Sequence, residues 1–106
     1  MIKFQVDITG PKFKAFVSKF RKETGLQDPI TNVFKKYLGE LGILDWISQN
    51  NDCADIFYPT DMELLHGVLL DKKVTFTIDI HDDAKAILFL MEWEGFFDIA
   101  QIADET

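Results

Sequence analysis

Two segments of the chain, residues 2–9 and 74–80, repeat with a period of two. In the first, Ile2, Phe4, Val6 and Ile8 alternate with Lys3, Gln5, Asp7 and Thr9. In the second, Val74, Phe76, Ile78 and Ile80 alternate with Thr75, Thr77 and Asp79. Successive side chains of a strand point to opposite faces, so each segment reads as a strand that is apolar on one side only. Strands of this kind need cover on one face and tolerate water on the other, which is the habit of an antiparallel sheet with helices packed on a single side.

The cover is readable in the intervening sequence. From Pro11 to Thr24 the period becomes helical, with Phe13, Phe16, Val17 and Phe20 on one stripe and Lys12, Lys14, Lys19, Arg21 and Lys22 mostly off it. Phe16 and Phe20 are expected to be buried against the sheet. Pro11 suits a first helical turn and Gly25 a C-terminal stop. Asp28-Pro29 opens a second helix, with Asp28 as its cap and Ile30, Val33, Phe34, Tyr37, Leu38 and Leu41 as its stripe. Gly42 breaks it, and a short helical piece follows at about 44–49. Asp55 to Tyr58 reads as a short strand ending at Pro59, and residues 64–70 as another strand or a helical turn. Asp82 and Asp83 start a helix running to about Glu94, where Gly95 stops it, and residues 97–103 suggest a last strand. The apolar run Ile87 to Met91 leaves a strand as the alternative within that helix.

The expected order is β-α-(α)-β-β-α-β. This predicts a single α+β domain over 1–106 of ferredoxin-like, split βαβ arrangement, with extra helices inserted at about 29–49. Hydrophobic residues at 47% and ten Phe suit a packed core.

Charge is unevenly placed. Residues 1–53 carry eight Lys/Arg and six Asp/Glu, a balance of +2; residues 54–106 carry three and twelve, a balance of −9. Such a chain is repelled by nucleic acid unless a basic patch is segregated, and the helix from Lys12 to Lys22 is the one segment that could serve. RNA modules of this fold stack bases on aromatics of the two central strands. Here those positions are Lys3, Gln5, Asp7, Thr75, Thr77 and Asp79, none aromatic, so nucleic acid is not the expected partner. The lone Cys53 excludes an internal disulfide. No secretory signal and no long apolar run is present, so a cytoplasmic protein without membrane insertion is expected.

No catalytic constellation stands out. Asp79, His81, Asp82 and Asp83 lie within five residues and carry metal-ligand chemistry, but helix capping accounts for Asp82 and Asp83. Neither metal nor cofactor is expected. Asp52 and Asp55 flank Cys53, an unfavourable setting for a thiolate nucleophile. The catalytic residues are therefore unassigned, and the chain reads more as a binding protein than as an enzyme.

Two surfaces remain as candidates. One is the polar sheet face carrying Lys3, Gln5, Asp7, Thr75, Thr77 and Asp79, on which a symmetry mate could pack as a homodimer or a small molecule could bind. The other is the helix at 82–94, apolar on two sides: Ala84, Ile87, Leu88 and Met91 form one stripe, and Ala86, Phe89, Leu90 and Trp93 another. Phe89, Leu90 and Trp93 are taken as the centre of its interface. The charge pattern suits a non-enzymatic acidic interaction module of inhibitor, immunity or adaptor type, self-associating and meeting a basic partner. The alternative is a dimeric domain that binds a small molecule, with weak enzymatic activity at most, on its polar sheet face.

Overall fold

The computed structural model of the protein describes residues 1–25 and 28–104. Its elements follow one another as β1 (Ile2–Ile8), α1 (Gly10–Thr24), α2 (Ile30–Leu41), α3 (Ile43–Gln49), β2 (Ala54–Phe57), α4 (Asp61–Leu70), β3 (Val74–Ile80), α5 (Asp83–Trp93) and β4 (Asp98–Asp104). The strands form one antiparallel sheet in the order β2-β3-β1-β4.

The two period-two segments become the central pair, β1 and β3, in full register from Ile2↔Ile80 to Ile8↔Val74. Their apolar alternates, Phe4, Val6, Ile8, Val74, Phe76, Ile78 and Ile80, are all buried and merge with buried side chains of the helices into one core. Aromatic edges hold the layers together. Phe34 of α2 meets Phe76 at 5.9 Å, and Phe89 of α5 meets Phe4 at 5.6 Å. Pairs of this kind add about 0.5–1.5 kcal/mol to the burial of their area. The α+β class with an antiparallel sheet is as the alternation requires. A full helix, α4, stands between β2 and β3, whereas the split βαβ plan joins those strands directly.

Local signals explain most boundaries. Gly25 and Gly42 end α1 and α2 in the left-handed conformation, with φ of 65° and 89°. The segment 64–70, expected as a strand or a helical turn, belongs to the helix Asp61–Leu70, whose start Thr60 caps: Glu63 N–H donates to Thr60 Oγ1 at 3.2 Å, and the Thr60 hydroxyl donates to Glu63 Oε1 at 3.1 Å. Thr60-x-x-Glu63 is thus a capping-box pattern that periodicity alone does not reveal. Asp28, in contrast, does not cap α2; the N-cap position falls on Pro29 and has no side-chain bond.

The α1 stripe divides its work. Phe13 and Val17 are fully buried. Phe16 and Phe20 are only partly covered, a correction to their expected burial against the sheet: Phe16 lies 4.9 Å from the ring of Tyr37 and fills the seam between α1 and α2. With a second helix beside it, the outer part of the α1 stripe finds its cover there. Gly10 opens α1 where the backbone of Asp71 and Lys72 approaches so closely that a Cβ would collide with it.

Candidate functional site

The open face of the sheet gathers the polar alternates of the strands. Cross-strand partners share a face, so the register sets out its rows. One row runs Asp55, Asp79, Lys3; the next Phe57, Thr77, Gln5; the last Thr75, Asp7, Asp98. All six positions expected there are therefore brought together. Asp55, Phe57 and Asp98 were not foreseen; the short alternation Asp55-Ile56-Phe57 and the even spacing of residues 98–100 were the signals available for them.

The polar contacts on this face are few. Thr75 Oγ1 donates to Asp7 Oδ1 at 2.7 Å, and Gln5 Nε2 donates to the same oxygen at 3.3 Å. Lys3 Nζ stands 3.8 Å from Asp79 Oδ1. Asp79 is only 7% exposed, and that oxygen is buried with no hydrogen bond among the described residues. Among the described residues its charge therefore leans on the Lys3 ammonium alone. Asp98 faces Asp7 across the β1–β4 ladder with no ion pair to either among the described residues. Among the described residues the face thus holds four carboxylates, of Asp7, Asp55, Asp79 and Asp98, against one lysine, Lys3, with the His81 imidazole beside Asp55.

The acidic stretch 79–83 is dispersed by the fold. Asp79 goes to Lys3, and His81 Nε2 lies 3.2 Å from Asp55 Oδ2. Asp82 caps α5 by accepting from Lys85 N–H at 3.0 Å, and Asp83 occupies the first turn of that helix, close to the positive end of its dipole. Among the described residues no three His, Cys, Asp or Glu side chains converge as a metal site would require. Cys53 donates to the Asn50 carbonyl at 3.5 Å. Burial and the carboxylates of Asp52 and Asp82 push its thiol pKa up, the direction opposite to that of an activated thiolate.

The apolar centre expected at Phe89, Leu90 and Trp93 requires correction. Phe89 and Trp93 are buried in the chain's own core, with Phe89 between Phe4 and Trp46, and Leu90 is partly buried against the same cluster. The other stripe of α5 is the one that faces outward: Ile87, Leu88 and Met91 are 61%, 54% and 74% exposed. Both stripes are apolar, and the larger rings were drawn into the space between α3 and the sheet.

A cavity of about 440 Å3 opens at the end of the sheet where β1 runs into α1 and α5 returns into β4. Its walls carry four aromatic rings, Tyr37, Trp93, Phe96 and Phe97, and three carboxylates, Asp7, Glu94 and Asp98, with Lys12 as the single cation. Ile8 and Leu41 add apolar surface. Burial pushes the Tyr37 phenol pKa up, so it presents a neutral hydroxyl. Half of its lining is the contiguous stretch 93–98, from the end of α5 through the turn to the start of β4; the rest comes from the β1–α1 junction and from α2, which sequence spacing could not bring to it.

No family model, no curated protein and no solved structure matches this chain. No helix among the described residues is long and apolar enough to cross a membrane.

Proposed function

We propose that this chain is a non-catalytic binding module that meets a positively charged protein partner on the open face of its sheet. The observation that carries this reading is the accumulation of Asp7, Asp55, Asp79 and Asp98 on one open face, offset among the described residues only by Lys3 at Asp79 and His81 at Asp55. Surplus charge of one sign steers an oppositely charged partner and is neutralised when that partner docks. Phe57, half exposed at the β2 edge of the same face, supplies an aromatic contact beside the carboxylates.

A test separates a local site from general acidity. Thr77→Arg, at the centre of the face, and Glu40→Gln, on the exposed side of α2, each change the net charge by +1. Isothermal titration with a decalysine peptide at low salt should show roughly tenfold weaker binding for Thr77→Arg and less than about twofold for Glu40→Gln. Equal weakening by the two would show that only net charge matters and would overturn the reading.

Self-association is the second reading, favoured by the outward stripe of Ile87, Leu88 and Met91, an exposed apolar surface of the kind that marks contact sites. Sedimentation velocity on the wild type, Leu88→Glu and Thr77→Arg decides it. A dimer dissociated by Leu88→Glu alone supports pairing through α5, and one dissociated by Thr77→Arg alone supports face-to-face packing of the sheets. A monomer at all concentrations removes both.

A further inference from the structure

The cavity at the end of the sheet has a chemistry of its own. Its volume of about 440 Å3 lies within the range of small-molecule sites. Asp7 and Asp98 stand directly opposite each other on adjacent strands, an arrangement in which like charges repel. Glu94 adds a third carboxylate, and among the described residues none of the three has an ion-pair partner. Among the described residues of the lining only Lys12 stands against them, so these walls carry three negative charges and one positive, a balance of −2.

The rings decide which kind of cation suits this surplus. Phe96 is 70% exposed, a large aromatic face held in water at the cavity wall. It packs 5.8 Å from Trp93, and Trp93 lies 6.0 Å from Phe97, so the three rings form one continuous aromatic wall. A metal ion would need converging oxygen ligands, and the carboxylates here do not group as such a site among the described residues. A weakly hydrated organic cation needs only ring faces and nearby negative charge, both of which the cavity supplies.

We propose that this cavity binds a small organic cation, such as a quaternary or alkylated ammonium group, held by the Trp93–Phe96–Phe97 rings and by the carboxylates of Asp7, Glu94 and Asp98. The site shares Asp7 and Asp98 with the open sheet face and adds Glu94 and the aromatic rings, so it rests in part on the preference for positive charge inferred for that face, and the two readings are told apart by their ligands. Trp93 is also the reporter. Its indole N–H is buried without an acceptor among the described residues, so its resonance responds to small changes at the cavity wall. Trp46, packed on Phe89 instead, serves as the internal control.

The test is a titration of the whole protein with choline, with its neutral isostere 3,3-dimethylbutan-1-ol and with benzenesulfonate, followed by the two indole N–H resonances. Choline should shift the Trp93 resonance saturably with a dissociation constant of millimolar order, and the neutral alcohol should bind at least about tenfold more weakly. Phe96→Ala and Asp98→Asn, both at exposed positions, should each weaken choline by about fivefold or more while circular dichroism confirms an intact fold. Equal affinity for the alcohol, a saturable response to benzenesulfonate, an unchanged titration in both variants, or no saturation by roughly 50 mM choline would each overturn the proposal. Decalysine binding lost in Thr77→Arg with the choline titration intact confines that variant's effect to the sheet face. Absence of decalysine binding in the wild type, with choline still binding, sinks the sheet-face reading and leaves the cavity standing.

Discussion

The two faces of the sheet are made from alternate residues of the same strands, yet they meet opposite demands. On the covered face, seven side chains from Phe4 to Ile80 are at most 3% exposed and interlock with the helices. On the open face, Lys3, Gln5, Asp7, Thr75 and Thr77 remain partly exposed, and only Asp79 is closed off. The covered face largely satisfies itself: these seven side chains are buried within the chain, and Ile2, Ile56 and Ile99 at its margins are partly so. The open face does not: Asp79 leans on one ammonium, and Asp7 confronts Asp98. A surface left electrostatically incomplete by its own fold is where an external ligand has most to contribute.

Neighbouring residues on the two faces provide the largest test of this contrast. Phe76→Ala should lower stability by about 3–5 kcal/mol, because it empties a packed site between Phe34 and Phe97. Thr77→Ala, one residue along the strand, should change it by less than about 0.5 kcal/mol. Denaturant titration reads both, and similar losses would erase the distinction. The same experiment on α5 repeats the comparison on a helix: about 3–5 kcal/mol is expected for Phe89→Ala, against less than about 0.5 kcal/mol for the exposed Leu88→Ala.

A smaller effect is expected within the open face. Lys3→Ala should cost about 1 kcal/mol, the upper end for a pair whose cation is partly in water. Asp79→Asn should remove most of that penalty when combined with Lys3→Ala, because the uncompensated charge has gone. If the double variant is as unstable as the sum of the singles, Asp79 does not depend on Lys3.

The smallest effect belongs to the covered side and appears only in alkali. Burial pushes the phenol pKa values of Tyr37 and Tyr58 up. The unfolded chain therefore ionises first as pH rises past the ordinary phenol range near 10, and stability present below that range is lost through it. Tyr37→Phe and Tyr58→Phe should flatten the alkaline limb of a stability-pH curve. An unchanged limb in both would show that neither phenol is the cause.

The covered face was legible before any coordinates because strand alternation is a local property. Ile2 to Ile8 and Val74 to Ile80 each declare two faces through eight or fewer consecutive residues. The α5 helix shows where that legibility ends. Phe89, Leu90 and Trp93 are as apolar as Ile87, Leu88 and Met91, so period and composition are silent on which stripe turns inward. The sheet face lies between these cases: its six central positions followed from alternation, but its edges, Asp55, Phe57 and Asp98, depended on register.

What the amino-acid order determined alone was therefore the set of elements with strong periods or end signals: the two central strands, the stripe on α1, the stops at Gly25 and Gly42, and the cap at Asp82. Each is settled by interactions within one or two turns or across one strand's own faces. Tertiary structure decided which side of α5 is buried, that Phe16 meets Tyr37 rather than the sheet, and that Asp7, Tyr37, Trp93 and Asp98 border one cavity. These are relations between elements far apart in the chain. They depend on strand register and helix placement, which no window of neighbouring residues encodes.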